Sequence, residues 1–567
     1  MELNAVTRSV GDIFSVNKKY LVPRFQREYS WTKEEVDEFW DDIIQQIKLI
    51  KKKPKNEEYF IGCIVLVGED SKQDYLIVDG QQRLTTLTIL LRAIVERLRE
   101  LGDETAALAL YKNVIEGTDD DGKNYFKLVN ESPKPYFQNE LQAYTKEGLK
   151  EAETEEEQLL LSTFNGFQKR LKGLSIHGLS ELESIKALRI QVLNFLKFIL
   201  VTAKHEDDAY TIFETLNARG LSLTSVDLIK NWIFKNYKHT HPNDNAKAIW
   251  NDLRKKISEF SDLETFFRHY WNSKYAYASN DRLYKSFNDF RKTGKITSAR
   301  DFLLELKDAS ERYRKIGMPK EKDCKTLKEK TIVRHLELIN QYKVTQVRPF
   351  LLSLLECREN KYVDETLFIK VIRNLENFHF IFSNICQDRA SGLEGTYTRA
   401  AKNLYLASSN KIKVKKVIAN LNDSLKGKYP NPQRIADSIN KLAFINGNET
   451  NKKTIQTVFA KIEQHLQKTT ELKVGNFSLE HIEDQSTGKD WVGGIGNIIP
   501  LDEKLNNGIK KMTSFKDKKK VYKKSEFKIT KKLLEANSQD TWTEANSKAW
   551  LNEITTNLHQ ATVLLKI

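Results

Sequence analysis

Three short clusters hold side chains whose types and spacing suit chemistry. The first, Asp79-Gly80-Gln81-Gln82-Arg83, stands between an apolar strand signal, Tyr75 to Val78, and a helix signal. In that helix Leu84, Leu87, Leu91, Ile94, Val95 and Leu98 share one side. The first turn of a helix offers unpaired backbone N–H groups and the positive end of the helix dipole. With Arg83 beside that turn, the cluster suits a phosphate group. Gly80 permits a sharp turn, and Asp79 is placed to cap the helix, to hold a metal ion or to bind a ribose hydroxyl. A plain capped helix fits the same residues, because Gln and Arg are good helix formers. The second cluster, Phe25-Gln26-Arg27-Glu28-Tyr29-Ser30-Trp31, comes just before the first helix. The third is spread out. Glu480 and His481 end a short strand signal, Gly493, Gly494 and Gly496 lead to Asn497, and Asn506 follows nine positions later. An isolated histidine is most simply a buried side chain satisfying a local hydrogen bond; this one comes with a carboxylate and two amides.

The elements that must position these groups follow from periodicity. Tyr20 to Phe25 is a short extended stretch containing Pro23. Thr32 and Glu35 have capping-box spacing, and Val36, Phe39, Trp40, Ile43, Ile44 and Ile47 then mark one apolar helix face. Tyr59 to Val67 reads as a buried strand. This part of the chain is α+β. Beyond residue 100 helix dominates, including an acidic stretch at Glu151 to Glu157. Thr224 and Asp227 fit a second capping pattern, with Leu228, Ile229, Trp232 and Ile233 as the apolar face behind it. Residues 240–450 are helical in pattern, rich in aromatics, without a motif that dictates chemistry and without an internal repeat. Gly447 to Lys452 is polar and turn-rich, a boundary signal, and mixed α/β patterning returns after it.

Composition narrows the class. At 567 residues the chain exceeds one core, and 40% apolar with 30% charged residues and only 10 prolines fits a largely helical globular protein. No apolar run approaches the roughly 20 residues that cross a bilayer. The first residues lack the layout of a signal peptide. The four cysteines, Cys63, Cys324, Cys357 and Cys386, form no CxxC pair and suggest neither a disulfide framework nor a zinc cage. A cytoplasmic protein without a membrane partner is expected. Net charge is +15, and Leu501 to Thr530 holds ten lysines against four acids. Such a surface attracts a polyanion without reading bases.

The order FQREYSW, YFIGCIVLV and YLIVDGQQRLTTL closely resembles the N-terminal domain of GmrSD-type restriction proteins, which is related to the ParB and sulfiredoxin fold. A third block matches that domain's later motif: Phe213 to Gly220 running into Leu223 to Asn231, with Asn217 and Arg219 as its polar residues. The resemblance implies a domain that binds and hydrolyses a nucleoside triphosphate, GTP or ATP, and in related proteins helps to sense modified DNA. Carried over, Gln26, Arg27, Asp79, Gly80, Gln81, Gln82 and Arg83 line the nucleotide pocket. Tyr29 and Trp31 lie nearby, placed to sense modified DNA.

The Glu-His-Ile and Ile-Gly-Asn patterns, followed by Leu-Asn, resemble the HNH (ββα-metal) nuclease finger that accompanies this N-terminal domain, and the downstream Phe515, Lys518, Lys519, Tyr522 and Ser525 agree. The resemblance makes His481 the general base, since imidazole titrates near neutrality. Glu480 and Asn506 become oxygen ligands for Mg²⁺ or Mn²⁺, and Asn497 the side chain that fixes the histidine-bearing loop. The lysines would hold the DNA backbone. Where the family usually has proline before glutamine, this chain has Asp484-Gln485. The expected architecture is α+β and predominantly helical. It comprises a ParB/sulfiredoxin-like domain with helical extension over 1–235, a helical region over 236–450 and an HNH domain over 451–567. The expected function is a modification-dependent (type IV) endonuclease against phage, cutting double-stranded DNA under nucleotide control, with a homo-oligomer as one assembly state. A DNA-binding protein with an inactive finger and an RNase toxin are the competing readings. Metal titration separates the first, and comparing plasmid with RNA the second.

Overall fold

The computed structural model describes residues 3–24, 26, 28–50, 53–69, 71–131, 136–145, 149–204, 224–237, 245–321, 324, 326–407, 409–445, 451–467, 477–509 and 512–567. Phe25, Arg27 and the block holding Asn217, Arg219 and Gly220 lie outside these residues. The described chain is predominantly helical with a small mixed sheet, an α+β fold. It divides into two compact units, 1–249 with 296–303, and 250–295 with 304–567. The helical region expected over 236–450 therefore falls largely in the same unit as the C-terminal segment.

The first unit is built on a six-stranded sheet with spatial order β1-β10-β5-β6-β2-β9. Its strands are β1 (Leu3–Ser9), β2 (Lys19–Val22), β5 (Tyr59–Val67), β6 (Asp74–Asp79), β9 (Leu128–Asn130) and β10 (Leu196–Ala203), while β3 (Ile47–Ile50) pairs with β4 (Lys53–Asn56) and β7 (Glu116–Thr118) with β8 (Asn124–Phe126) in separate hairpins. Successive side chains of a strand face opposite sides. In β5, Ile64 and Leu66 therefore join the main core, while Val65 and Val67 join a smaller cluster with Val78, Val201 and Ala203. The main core packs on helix α3 (Gln81–Glu100), whose Leu84, Leu87, Leu90, Leu91, Ile94 and Leu98 are fully buried. Local capping sets the helix starts. Both capping boxes read from the sequence form, at Thr32 with Glu35 and at Thr224 with Asp227.

In the second unit, a buried polar network ties the helical region to the C-terminal segment. Glu376, fully buried on helix Glu365–His379, accepts from Lys461 Nζ at 2.6 Å and from Tyr342 Oη at 2.7 Å. Lys461, on helix Lys452–Gln467, also donates to Asn377 Oδ1 at 2.7 Å. Burial, the largest single influence, raises this carboxyl, but the Lys461 ammonium and the His335 imidazole together outweigh it and hold Glu376 down to about 2. Towards the C-terminus β11 (Phe477–His481) runs antiparallel to β12 (Ile498–Asp502), followed by helix Glu503–Ile509, which packs on both strands, and by helices Phe515–Tyr522, Lys528–Ala536 and Glu544–Thr562. The polar boundary near Gly447 has strand-like pairing on its upstream side. Ala443 bridges Gly494, Phe444 N–H donates to Gly493 O at 2.8 Å and Ile495 N–H to Leu442 O at 3.0 Å. Among the described residues no helix is long and apolar enough to cross a membrane.

Removing one partner of a buried ion pair leaves a bare charge in the core. Lys461→Met is expected to destabilise this unit by about 3–5 kcal/mol, read as a lower urea midpoint. Because the Glu376 carboxyl lies below its ordinary range, its contribution is present above that range and is lost as pH falls towards 2. Urea titrations at stepped acidic pH should show this loss in wild type and not in Glu376→Gln.

Candidate functional site

In the first unit the turn between β6 and α3 departs from a capped helix. Asp79 belongs to β6, opposite Val65, and the N-cap position is Gly80, at φ +91° and with no side-chain cap. A Cβ at Gly80 would also meet Ile64 Cγ1 at 3.0 Å, so both conformation and space require glycine. Arg83 donates from Nη1 to Cys63 O at 2.7 Å and lies against Gly62, where a Cβ would come within 2.7 Å of Nη1. Gln82 is buried and works as a tie. Its Oε1 accepts from Ser30 N–H and its Nε2 donates to Glu28 O, each at 3.0 Å. Gln26 Nε2 donates to Val78 O at 3.1 Å.

Gln26, Glu28 and Ser30 are thus fastened to the end of β6 and the start of α3, and Gln26, Asp79, Gly80, Gln81, Gln82 and Arg83 are gathered at one turn. Tyr29, expected near modified DNA, is instead a core residue, 5% exposed, its hydroxyl 2.8 Å from Thr86 Oγ1. A ring held there presents no face to a nucleic acid. Trp31 is half-buried, edge-on to Phe39 at 5.6 Å.

Two further residues, Glu156 beside this turn and Arg24 just before Gln26, belonged to no motif in the sequence. Glu156 accepts from Tyr29 N–H at 3.0 Å, and burial pushes its carboxyl up. Arg24 donates from Nε to Phe234 O at 3.1 Å and from Nη2 to Tyr237 O at 2.8 Å, closing the end of helix Ser225–Asn236. A cavity of about 20 Å³ is lined by Tyr29, Gln81, Gln82, Thr85, Asn130 and Glu156. That is room for roughly one water and not for a nucleotide.

In the second unit the pairing of β11 with β12 sets Glu480 opposite Ile499 and His481 opposite Ile498. His481 is 9% exposed, and its Nε2 lies 2.8 Å from Phe444 O while the two rings stack at 5.4 Å. Nε2–H donating to that carbonyl leaves Nδ1 as the nitrogen with a free lone pair. The Gln485 amide nitrogen sits at the same ring edge, 3.1 Å from Nδ1 and 2.7 Å from Nε2. Burial lowers the imidazole pKa, which favours the neutral ring. Asn497, fully buried, braces the next turn: Oδ1 accepts from Glu483 N–H at 2.9 Å, and Nδ2 donates to Glu483 O at 2.9 Å and Val492 O at 2.8 Å.

Burial pushes the Glu480 carboxyl up against the pull of Lys518, whose Nζ lies 2.8 Å from Oε1. Asn506 Oδ1 is buried and has no hydrogen-bond partner among the described residues. Asp484 turns its carboxylate to Ser486 N–H at 2.8 Å, starting a short turn.

Among the described residues no three His, Cys, Asp or Glu side chains converge as a metal cage. Magnesium asks less of a protein: one or two carboxylate or amide oxygens, with water and substrate phosphate completing the shell. The unpartnered Asn506 Oδ1 and the Glu480 carboxylate are donors of that kind. The lysine run is not uniform. Lys518 is buried, Lys519 donates to Ser538 O and Gln539 O, and Lys523 and Lys524 are exposed with no ion pair among the described residues.

The C-terminal hairpin and the segments packed on it thus hold a fixed imidazole, an amide brace and a basic flank together. Residues 10–234 match the GmrSD restriction endonuclease N-terminal domain and residues 432–557 the GmrSD restriction endonucleases C-terminal domain. The chain belongs to the GmrSD restriction endonucleases, which makes DNA its partner and strand cleavage its activity. No curated protein matches the sequence.

Asn497→Ala would strand the amide and carbonyl of Glu483 and the carbonyl of Val492. A loss of about 1–3 kcal/mol in unfolding free energy is expected, with the 482–493 loop becoming accessible to limited proteolysis.

Proposed function

We propose that this protein is a modification-dependent (type IV) restriction endonuclease of anti-phage defence, acting in the cytoplasm. In this reading the C-terminal unit is an HNH finger, and the N-terminal unit binds and hydrolyses GTP or ATP to control it. The observation that carries the reading is the orientation of His481, whose Nε2 lies 2.8 Å from the Phe444 carbonyl, which leaves Nδ1 as the basic nitrogen, with the Gln485 amide nitrogen 2.7 Å from Nε2 and 3.1 Å from Nδ1.

Hydrolysis of a phosphodiester breaks one P–O bond and forms another with the oxygen of water. The water proton passes to Nδ1 of His481 as its oxygen attacks phosphorus, and the leaving oxygen is protonated from solvent. The Gln485 amide must yield that edge to water first. Asn497 holds the turn that carries this geometry. Mg²⁺ or Mn²⁺, held by Glu480 and Asn506, would supply stabilisation of the negative charge on the phosphate. Lys523 and Lys524 are free to meet phosphates of the backbone. At the N-terminal turn, Arg83 and the start of α3 supply positive potential for the phosphates of a nucleotide.

His481→Ala is expected to abolish nicking of modified plasmid DNA in Mg²⁺ or Mn²⁺ while nucleotide binding persists. Undiminished cutting by that variant would remove His481 from the mechanism, and retention of DNA without ends at any metal concentration would favour a binding protein. Cleavage of RNA in preference to plasmid would make the finger an RNase.

A further inference from the structure

Helix Phe515–Tyr522 places Lys518 and Tyr522 one turn apart on one face. That face is buried: Lys518 is 3% and Tyr522 0% exposed. A lysine buried to this degree needs an acceptor for each proton. Lys518 has them. Its Nζ lies 2.8 Å from Glu480 Oε1, and it donates to His481 O at 2.7 Å and to Ile482 O at 3.2 Å. Tyr522 Oη donates to the same Glu480 Oε1 at 3.2 Å. Both contacts therefore fall on one carboxylate oxygen, and among the described residues Oε2 accepts from none. An ammonium with three acceptors inside the fold is also out of reach of a DNA phosphate, although it stands in a run of lysines.

We propose that Lys518 and Tyr522 are positioning residues of the nuclease: they clamp Oε1 of Glu480 so that Oε2 is presented to the divalent cation, and Lys518 fixes the backbone of the general base. The proposal rests on Glu480 being a ligand of that cation. A free glutamate spreads over several rotamers, and fixing one in advance removes that ordering from metal binding. Hydrogen bonds to ligating carboxylates do this in metal sites generally, and their loss weakens metal affinity roughly 10–100-fold. The opposing effect is electrostatic, because an ammonium on Oε1 withdraws charge from the cation. If that effect dominates, removing Lys518 tightens binding.

The test uses the full-length protein without DNA and measures Mn²⁺ binding from the paramagnetic resonance of the free ion. Lys518→Met is expected to weaken binding roughly 10–100-fold and Tyr522→Phe several-fold, with cleavage at saturating Mn²⁺ recovering in Tyr522→Phe. DNA affinity in EDTA and its salt dependence should stay at wild-type values in both. Tyr522→Phe keeps the ring in place, so it carries the test even where Lys518→Met melts early. Unchanged or tighter Mn²⁺ binding in Tyr522→Phe, or in folded Lys518→Met, overturns the proposal. So does a smaller salt slope for DNA in Lys518→Met, which would make that lysine a phosphate contact. Glu480→Gln separates the two levels: if it binds Mn²⁺ as wild type does, the assignment of Glu480 fails. If it loses the ion while both clamp variants keep it, only the clamp fails.

Discussion

The hydrogen bond from His481 Nε2 to the carbonyl of Phe444 ties a titratable ring to backbone from outside its own hairpin. An imidazole has two nitrogens and no intrinsic reason to present one of them. Committing Nε2 to an acceptor fixes the tautomer, and the stacked Phe444 ring limits rotation. That carbonyl is itself held, because Leu442, Ala443 and Phe444 pair with Gly493, Gly494 and Ile495. The pairing in turn needs the Gly493–Asn497 stretch to keep its course, which the three hydrogen bonds of the Asn497 side chain enforce. A Cβ at Gly493 would lie 2.7 Å from Cγ1 of the half-exposed Ile445, so any larger residue there would have to turn that side chain aside. The orientation of one ring thus depends on a chain of backbone contacts that ends in a buried amide.

Polar groups buried without water must find partners, and the second unit meets that demand with charged residues that reach across helices. Glu376 is shared by Lys461 and Tyr342, while Glu463, also fully buried, accepts from the N–H groups of Lys528 and Ile529 at 2.9 and 3.1 Å. Lys461 and Glu463 sit two positions apart on one helix and so point to different neighbours. That helix thereby joins the helical region on one side and helix Lys528–Ala536 on the other. Such contacts are costly to break singly, which makes relative displacement of these helices unfavourable.

What could be read from the chain was local. Capping boxes at Thr32 and Thr224 and the apolar run Tyr59–Val67 depend on neighbours a few residues away; both boxes and the strand formed, although the strand is fully buried only over Ile64–Val67. The order Glu480, His481, Asn497, Asn506 was legible as a resemblance. Its geometry was not, because the partner of His481 is a backbone carbonyl 37 positions upstream, and every residue type carries one. Lys518 was part of the resemblance, but its burial was hidden for a different reason. In a run of lysines, composition argues for a solvated face, and only the packing of helix Phe515–Tyr522 against β11 picks out the one that is buried. Tyr29 misled in the opposite sense, since an aromatic beside a polar motif suits recognition and core equally, and the nearby Thr86 hydroxyl decides for the core.

The same division of labour holds at both ends of the chain. Residues that look like ligands spend their polar atoms on backbone: Gln82 on Ser30 and Glu28, Gln26 on Val78, Lys518 on His481 and Ile482. A motif of polar residues around a turn needs such ties because the turn has no ladder of its own to hold it. The atoms left for chemistry are then few, and they are recognisable by what they lack. In the function proposed for the C-terminal site they are the second oxygen of Glu480, Oδ1 of Asn506 and Nδ1 of His481 behind a single amide. A hydrolytic centre needs little more than these, provided that the ties keep them still.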